Sequence, residues 1–189
     1  TYGGDKGIFA FGSVNVSNLV SNTGVVSSDV AGVGTSRSEM PAACEFGTDK
    51  DTCIFGFGYA GGSVVGMTNL VSNTGVVASD VSAVGTARYH TAACGFGDDK
   101  GIFAFGGTPS VTAISNLVSN VGVVASDTAG VGTARGTLAA TQYGTDKGLF
   151  GFGAGPIAET NLVSNVGVVA DDTSGVGTAR NQLAACSYG

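Results

Sequence analysis

The chemistry available to this chain is limited by what it carries: one imidazole (His90), four thiols (Cys44, Cys53, Cys94 and Cys186), 14 carboxylates and 8 bases in 189 residues. Acid–base catalysis wants a group that titrates near neutrality beside a partner that tunes it. His90, in Arg88-Tyr89-His90-Thr91, is the only such group, which points to a surface or inter-unit role. No Gly-x-Ser-x-Gly elbow and no spaced Cys/His pair appears, so nothing announces an activated nucleophile. A single His and four Cys without a C-x-x-C leave no zinc or copper pattern, and no dense Asp/Asn run suits calcium. The glycine-rich stretch ending at Arg135 lacks the P-loop lysine and a following helix, so it does not read as a phosphate cradle. The expectation is a chain that is not an enzyme and needs no cofactor and no metal.

The charges are periodic. Lys6, Lys50, Lys100 and Lys147 each follow an Asp, and Arg37, Arg88, Arg135 and Arg180 each follow Asp29, Asp80, Asp127 and Asp172 by eight residues. Every base therefore travels with an acid, and the net charge of −6 comes from six scattered acids: Glu39, Glu45, Asp51, Asp98, Glu159 and Asp171. Binding to nucleic acid requires uncompensated Lys and Arg that displace counterions, so DNA and RNA are excluded as partners. The same balance excludes a polybasic membrane patch, and no apolar run has the length of a membrane span, so no membrane insertion is expected. The Arg and Asp, for example Asp127 and Arg135, are expected to bond within or between units. The Asp-Lys pairs read as turn chemistry.

These residues sit in a repeat. Asn18 to Arg37 returns as Asn69 to Arg88, Asn116 to Arg135 and Asn161 to Arg180. A second block around Asp-Lys-Gly-Ile-Phe-x-Phe-Gly also appears four times, its second copy lengthened by two residues near Asp51 and Thr52. The units run approximately over residues 1–48, 49–98, 99–145 and 146–189 of a single domain. Length varies in one place, at Ser13 to Ser17, Tyr59 to Thr68, Gly107 to Ser115 and Ala154 to Thr160, as surface loops do.

Glycines divide each unit into four short apolar runs, in the second copy Ala42–Cys44, Ile54–Phe57, Asn69–Val71 and Gly75–Ala78, and no helical period intervenes. The chain is expected to be all-β. Four strands per unit of 40 to 50 residues is the arithmetic of a β-propeller blade, so the units predict a four-bladed propeller, or a segment of a larger propeller or array. Residues 184–189 are the strand that precedes the N-terminal hairpin in every other unit, and are expected to complete the first blade. The chain opens on Thr1, which suggests that it is processed, excised or incomplete. Cys44, Cys94 and Cys186 share one strand position, which Thr141 fills in the remaining unit, and read as small buried fillers; Cys53, nine residues from Cys44 across a hairpin, makes a Cys44–Cys53 disulfide conceivable.

In layout, Thr-Ala-Arg-x-x-x-Ala-Ala-Cys-x-Phe/Tyr-Gly-x-Asp-Lys-Gly-Ile-Phe-Gly-Phe-Gly, a variable loop and Asn-Leu-Val-Ser-Asn resemble the kelch repeat. The chain departs from that family in having Phe-Gly where kelch has a double glycine, and in lacking Trp. Its glycine-rich, near-identical copies are also similar to repeats in virion and tail-appendage proteins of marine phages and viruses. The resemblance implies a propeller that displays recognition loops on a virion surface or outside a cell. Where the units differ, Tyr59, Met67, Tyr89, His90, Pro109 and Glu159 stand in or beside the variable loops. Aromatic and polar side chains on loops of a rigid frame suit glycans or protein surfaces. The first expectation is therefore a non-enzymatic recognition module of that kind. The second is a purely structural repeat that self-associates and binds no ligand.

Overall fold

The structure, a computed structural model, describes residues 1–188. Its strands are β1 (Gly7–Ala10), β2 (Ser17–Val20), β3 (Ala42–Phe46), β4 (Thr52–Gly56), β5 (Tyr59–Ala60), β6 (Ser63–Val64), β7 (Thr68–Val71), β8 (Ala92–Phe96), β9 (Lys100–Ala104), β10 (Gly107–Thr108), β11 (Ser110–Val111), β12 (Ser115–Val118), β13 (Ala139–Tyr143), β14 (Lys147–Gly153) and β15 (Ile157–Val163). Among the described residues there is no helix, and so none long and apolar enough to cross a membrane. The fold is all-β, built from small antiparallel sheets.

Each full unit is a three-stranded sheet: β3-β4-β7, β8-β9-β12 and β13-β14-β15. The first two strands of a sheet meet through a tight turn. Gly97-Asp98 and Gly144-Thr145 hold consecutive positive φ angles (59° and 67°, 57° and 70°), the geometry whose twist matches paired strands. The first unit holds only β1 and β2, paired from Gly7↔Val20 to Ala10↔Ser17. Residues 183–188, expected to complete β1, form no strand in this structure.

The fourth apolar run is not a strand, contrary to expectation. In the second unit Val71↔Val77 and Thr68↔Val81 are single bridges on either side of an interruption. Asn69 causes it: its Nδ2 donates to the Ala78 carbonyl at 3.0 Å and so occupies an acceptor that a further strand would need. The run is an arm folded back on the third strand, capped where Ser72 Oγ accepts from the Thr74 and Val76 amides at 3.3 and 3.1 Å. Two of the variable loops form minimal hairpins of their own, β5-β6 and β10-β11.

Sheets stack through their first strands, β3 on β8 and β8 on β13. Aromatic pairs bridge the units: Phe11 to Phe55 at 5.5 Å, Phe57 to Phe103 at 5.1 Å and Phe105 to Phe150 at 5.4 Å between ring centroids. The thiols fill gaps that glycines leave. A Cβ at Gly101 would stand 2.5 Å from Cys44 Sγ, and one at Gly148 2.6 Å from Cys94 Sγ. Cys44 and Cys53 are both free and buried. The register pairs Cys44 with Ile54 and Cys53 with Glu45, so the two thiols leave opposite faces of the sheet and no bridge joins them.

Candidate functional site

The strongest polar feature is a network repeated at each joint between units. Arg37, Arg88 and Arg135 are fully buried. Each guanidinium lies over a Phe of its own unit, with Cζ 4.1 Å from the Phe11 ring centroid, 4.4 Å from that of Phe57 and 4.3 Å from that of Phe105. Each then faces the Asp of the next unit: Arg37 to Asp80 at 3.9 Å, Arg88 to Asp127 at 3.7 Å and Arg135 to Asp172 at 3.7 Å. Asp127 is therefore the partner of Arg88 and not of Arg135, and the eight-residue spacing within a unit does not mark a pair.

The same Asp gathers three further donors. Asp127 accepts from the Thr86 amide at 3.0 Å, from Thr86 Oγ1 at 2.7 Å and from Asn116 Nδ2 at 2.9 Å, while Asn116 Oδ1 accepts from Arg88 at 2.7 Å. Burial works to raise the pKa of Asp80, Asp127 and Asp172, but the hydrogen bonds from Thr and Asn outweigh it and hold all three carboxyls below their ordinary value. Burial pushes Arg37 and Arg88 down to about 10 against the opposing pull of the Asp. Asn69, Asn116 and Asn161, fully buried, were not singled out from sequence; their invariant place in every copy was the available signal. This network is architecture: each Asp is taken up by donors of the chain itself, although Arg37 Nε and Nη2, Arg88 Nε and Asn69 Oδ1 are buried without a hydrogen-bond partner among the described residues.

The position that varies lies two residues past each Arg. Glu39, His90, Thr137 and Gln182 all adopt positive φ (55°, 55°, 53° and 54°). They form a backbone ladder, His90 N to Glu39 O at 3.1 Å, Thr137 N to His90 O at 3.1 Å and Gln182 N to Thr137 O at 3.0 Å. Four non-glycine residues in the left-handed region cost roughly 1–2 kcal/mol each and persist only where neighbours over-determine them. The ladder supplies that constraint and sets a different side chain from each unit on one line, with Glu39 and Gln182 exposed, His90 half-buried and Thr137 buried.

Around its first two rungs, side chains gather. His90 Nε2 lies 2.9 Å from Glu39 Oε2, the His90 ring is 4.5 Å from Tyr89, and Tyr89 is 6.4 Å from Tyr59 in an edge-on arrangement. Tyr89 has room because its bridge partner is Gly107, where a Cβ would come within 3.0 Å of the ring. Tyr59 is fixed by its hydroxyl, which donates to the Gly62 carbonyl at 2.7 Å across the β5-β6 hairpin.

Of the loop residues expected to bind, the structure thus brings together Tyr59, Tyr89 and His90, and adds Glu39. It leaves three apart. The Met67 carbonyl accepts from Arg37 at 3.4 Å, Pro109 is exposed between β10 and β11, and Glu159 Oε2 accepts the Ala158 amide at 3.1 Å on β15. Of the recurring lysines, Lys6, Lys100 and Lys147 pair with the Asp before them, whereas Lys50, displaced by the two-residue insertion, donates to the Thr145 carbonyl at 3.4 Å. Sequence reasoning also missed the arm tips, where Val25, Val76, Val123 and Val168 are each more than 60% exposed. Between successive arms run grooves, one of about 610 Å³ reaching Leu70, Val76 and Val121, the next of about 470 Å³ reaching Leu117, Val123 and Val166. No group of three or more His, Cys, Asp or Glu among the described residues is placed to hold a metal ion. Compared with protein-family models and with curated proteins, the chain matches none.

Proposed function

We propose that the chain is a non-enzymatic, glycan-binding recognition module whose site is the patch of Tyr59, Tyr89, His90 and Glu39. The observation that carries the reading is the juxtaposition of two tyrosine rings with an imidazole–carboxylate pair, set on the left-handed backbone ladder. A pyranose has an apolar C–H face and a rim of hydroxyls. The tyrosines offer rings to the first, and Glu39 and His90 offer an acceptor and a donor to the second. Tyr59 and Glu39 are exposed and Tyr89 and His90 half-buried, which fits a ligand that stays partly in water.

The four units are, in this reading, kelch-like blades fanned about a common axis, a four-bladed turn left open between its fourth and first blades. Lys50 supports it, because from the β3-β4 turn its Nζ reaches Thr145 in the β13-β14 turn, two sheets along the stack. Sheets stepping along a straight line would separate these residues, whereas sheets fanned about a common axis bring their hairpins together. Small-angle scattering checks the shape: a compact turn of this length has a radius of gyration of about 16 Å, and a markedly larger value for the monomer rejects it. In keeping with the resemblance, such a module would work on a virion surface or outside a cell.

The test of the site is a glycan array followed by calorimetry on its best ligand, with Tyr89→Ala and Glu39→Gln beside the parent protein. The reading expects saturable binding that weakens at least tenfold in Tyr89→Ala while the melting temperature stays put. Binding untouched by both substitutions, or no glycan bound at all, refutes it.

A further inference from the structure

Each inner joint uses two complementary faces, and the outer units carry one unpaired half each. On the forward face of a unit stand a Phe capped by Arg, the Thr amide and hydroxyl, and the Arg guanidinium; on the rear face of the next stand a second Phe and the Asp. Phe55, Phe103 and Phe150 are the rear-face rings and are buried, at 8%, 0% and 0% exposure, whereas their counterpart in the first unit, Phe9, is 65% exposed. Asp80, Asp127 and Asp172 each accept from a Thr of the preceding unit, whereas the only side-chain donor to the Asp29 carboxylate among the described residues is Asn18, at 2.9 Å.

The fourth unit has the matching vacancies. Phe152 meets no rear-face ring of a further unit, and Arg180, stacked 3.9 Å over it, is exposed where the other three arginines are fully buried. Among the described residues the Arg180 guanidinium bonds only to the carbonyl of Thr178, two residues before it, at 3.1 Å. Residues 184–186, Ala-Ala-Cys, are exposed and unladdered, while among the described residues β1 has one edge that pairs with nothing beyond the single Tyr2–Lys6 bridge. By the register of β8 on β9, Ala184 would face Ala10, Ala185 would face Phe9 and Cys186 would face Ile8. Among the described residues no backbone hydrogen bond joins residues 1–40 to residues 139–188, so these halves do not satisfy each other within one copy.

We propose that the forward face of the fourth unit and the rear face of the first join between copies of this chain, head to tail. Arg180 pairs with Asp29 of the second copy, Phe152 packs on its Phe9, and the segment from Ala184 to Ser187 adds as a strand to its β1. The occupant is fixed by chemistry already used three times in the molecule: an Arg-capped ring and a Thr donor set seek an Asp and a Phe at the same spacing. Such a contact is heterologous, so it grows into a filament or closes into a ring of copies. The joint does not involve the Tyr59–Tyr89 patch, so it stands or falls apart from glycan binding.

Charge reversal tests it. The parent chain, Asp29→Arg and Arg180→Asp are run separately and as an equimolar mixture in sedimentation equilibrium over a range of concentrations, with urea melts to confirm that each variant is folded. The parent is expected to gain mass with concentration and each variant alone to associate at least tenfold more weakly. The mixture is expected to recover, because in alternating copies each reversed charge meets its opposite on the other variant, and the two unaltered partners, Arg180 of one and Asp29 of the other, meet as in the parent. A second readout uses the thiols. Cys44 lies against Gly101 of the next unit, and Cys53 holds the strand position equivalent to Gly101, so Cys186, added beside β1 of the second copy, lies against Cys53 of that copy. Diamide should take two electrons and two protons from that pair and give covalent dimers and longer ladders on a non-reducing gel, absent in Cys186→Ser and in Cys53→Ser. A parent that stays monomeric at every concentration, variants that associate like the parent, a mixture that fails to recover, or a Cys53–Cys186 bridge formed only within single chains each overturns the proposal.

Discussion

Replacing Asp127 by Ala removes the acceptor on which one joint converges. Two bonds from Thr86, one from Asn116 and the ion pair with Arg88 at 3.7 Å are lost together. Arg88 is fully buried and keeps only Asn116, the Thr86 carbonyl and the face of Phe57. Leaving a buried charge without its partner costs about 3–5 kcal/mol. At roughly 2–4 °C per kcal/mol for a chain of this size, the melting temperature should fall by roughly 6–20 °C. Asp29→Ala changes the same residue of the repeat in the one unit that has no Arg in front of it. There the loss is a single bond to Asn18 on an exposed segment, about 1 kcal/mol or less. Urea titrations at a concentration where the protein is monomeric measure both, as a shift in midpoint at constant slope. Equal losses in the two variants, or a loss below about 1 kcal/mol in Asp127→Ala, would show that the joint does not bear on an inter-unit charge pair.

Three further outcomes follow from the same geometry. Gly24 and Gly122 both hold φ of 78°, but a Cβ at Gly24 meets nothing within 4 Å, whereas one at Gly122 meets Leu70 at 2.6 Å and Phe46 at 2.8 Å. Gly24→Ala should cost about 1–2 kcal/mol of backbone strain, and Gly122→Ala about 1–3 kcal/mol more for overpacking, so equal losses in urea would contradict the stacking of the arms. On the acid side, the carboxyls of Asp80, Asp127 and Asp172 titrate lower in the folded chain than their unfolded value of 3.8, so the stability they lend is complete above that pH and is lost as pH falls through the folded values. Urea midpoints should hold between about pH 7 and pH 5 and drop below about pH 4; a drop beginning near pH 6 would indict other groups. A thiol reagent near pH 8 should label the exposed Cys186 quickly in dilute protein. It should reach Cys44, Cys53 and Cys94 only on unfolding, because burial pushes Cys53 up to about 11, Cys94 to about 12 and Cys44 well above its usual range. Fewer than four thiols in denaturant would reveal a disulfide that the opposed faces of Cys44 and Cys53 exclude.

The strands were legible because glycine and Asp-Lys turns punctuate them, and Ile8-Phe9-Ala10 and its copies are apolar on both faces, as sheets covered on both sides must be. The Gly75–Ala78 run misled because its valines carry the same apolar signal as a strand while Asn69, six residues earlier, takes the hydrogen bond that would have made it one. The Arg–Asp pairing was unreadable for a different reason. Asp127 stands eight residues before Arg135 and 39 after Arg88, and the constant short spacing points to the wrong partner, because sequence separation carries no information on which of the two is near in space. The left-handed ladder through Glu39, His90, Thr137 and Gln182 had a signal, variability at one fixed offset from each Arg, but nothing in those side chains announces a positive φ. Tyr59 and Tyr89 were found because they break the repeat, and their meeting depends on Gly107 making room for a ring.

A double-mutant cycle decides the architecture most directly. Urea stabilities of Arg88→Met, Asp127→Ala and their combination measure the coupling across a joint, and the same cycle with Arg135→Met measures the coupling inside a unit. The account predicts about 1–3 kcal/mol between Arg88 and Asp127, which face each other at 3.7 Å, and additivity within about 0.5 kcal/mol between Asp127 and Arg135. Coupling confined to the Asp127 and Arg135 pair would mean that each unit closes its own charges, and would contradict the joints on which the fold and its proposed assembly both rest.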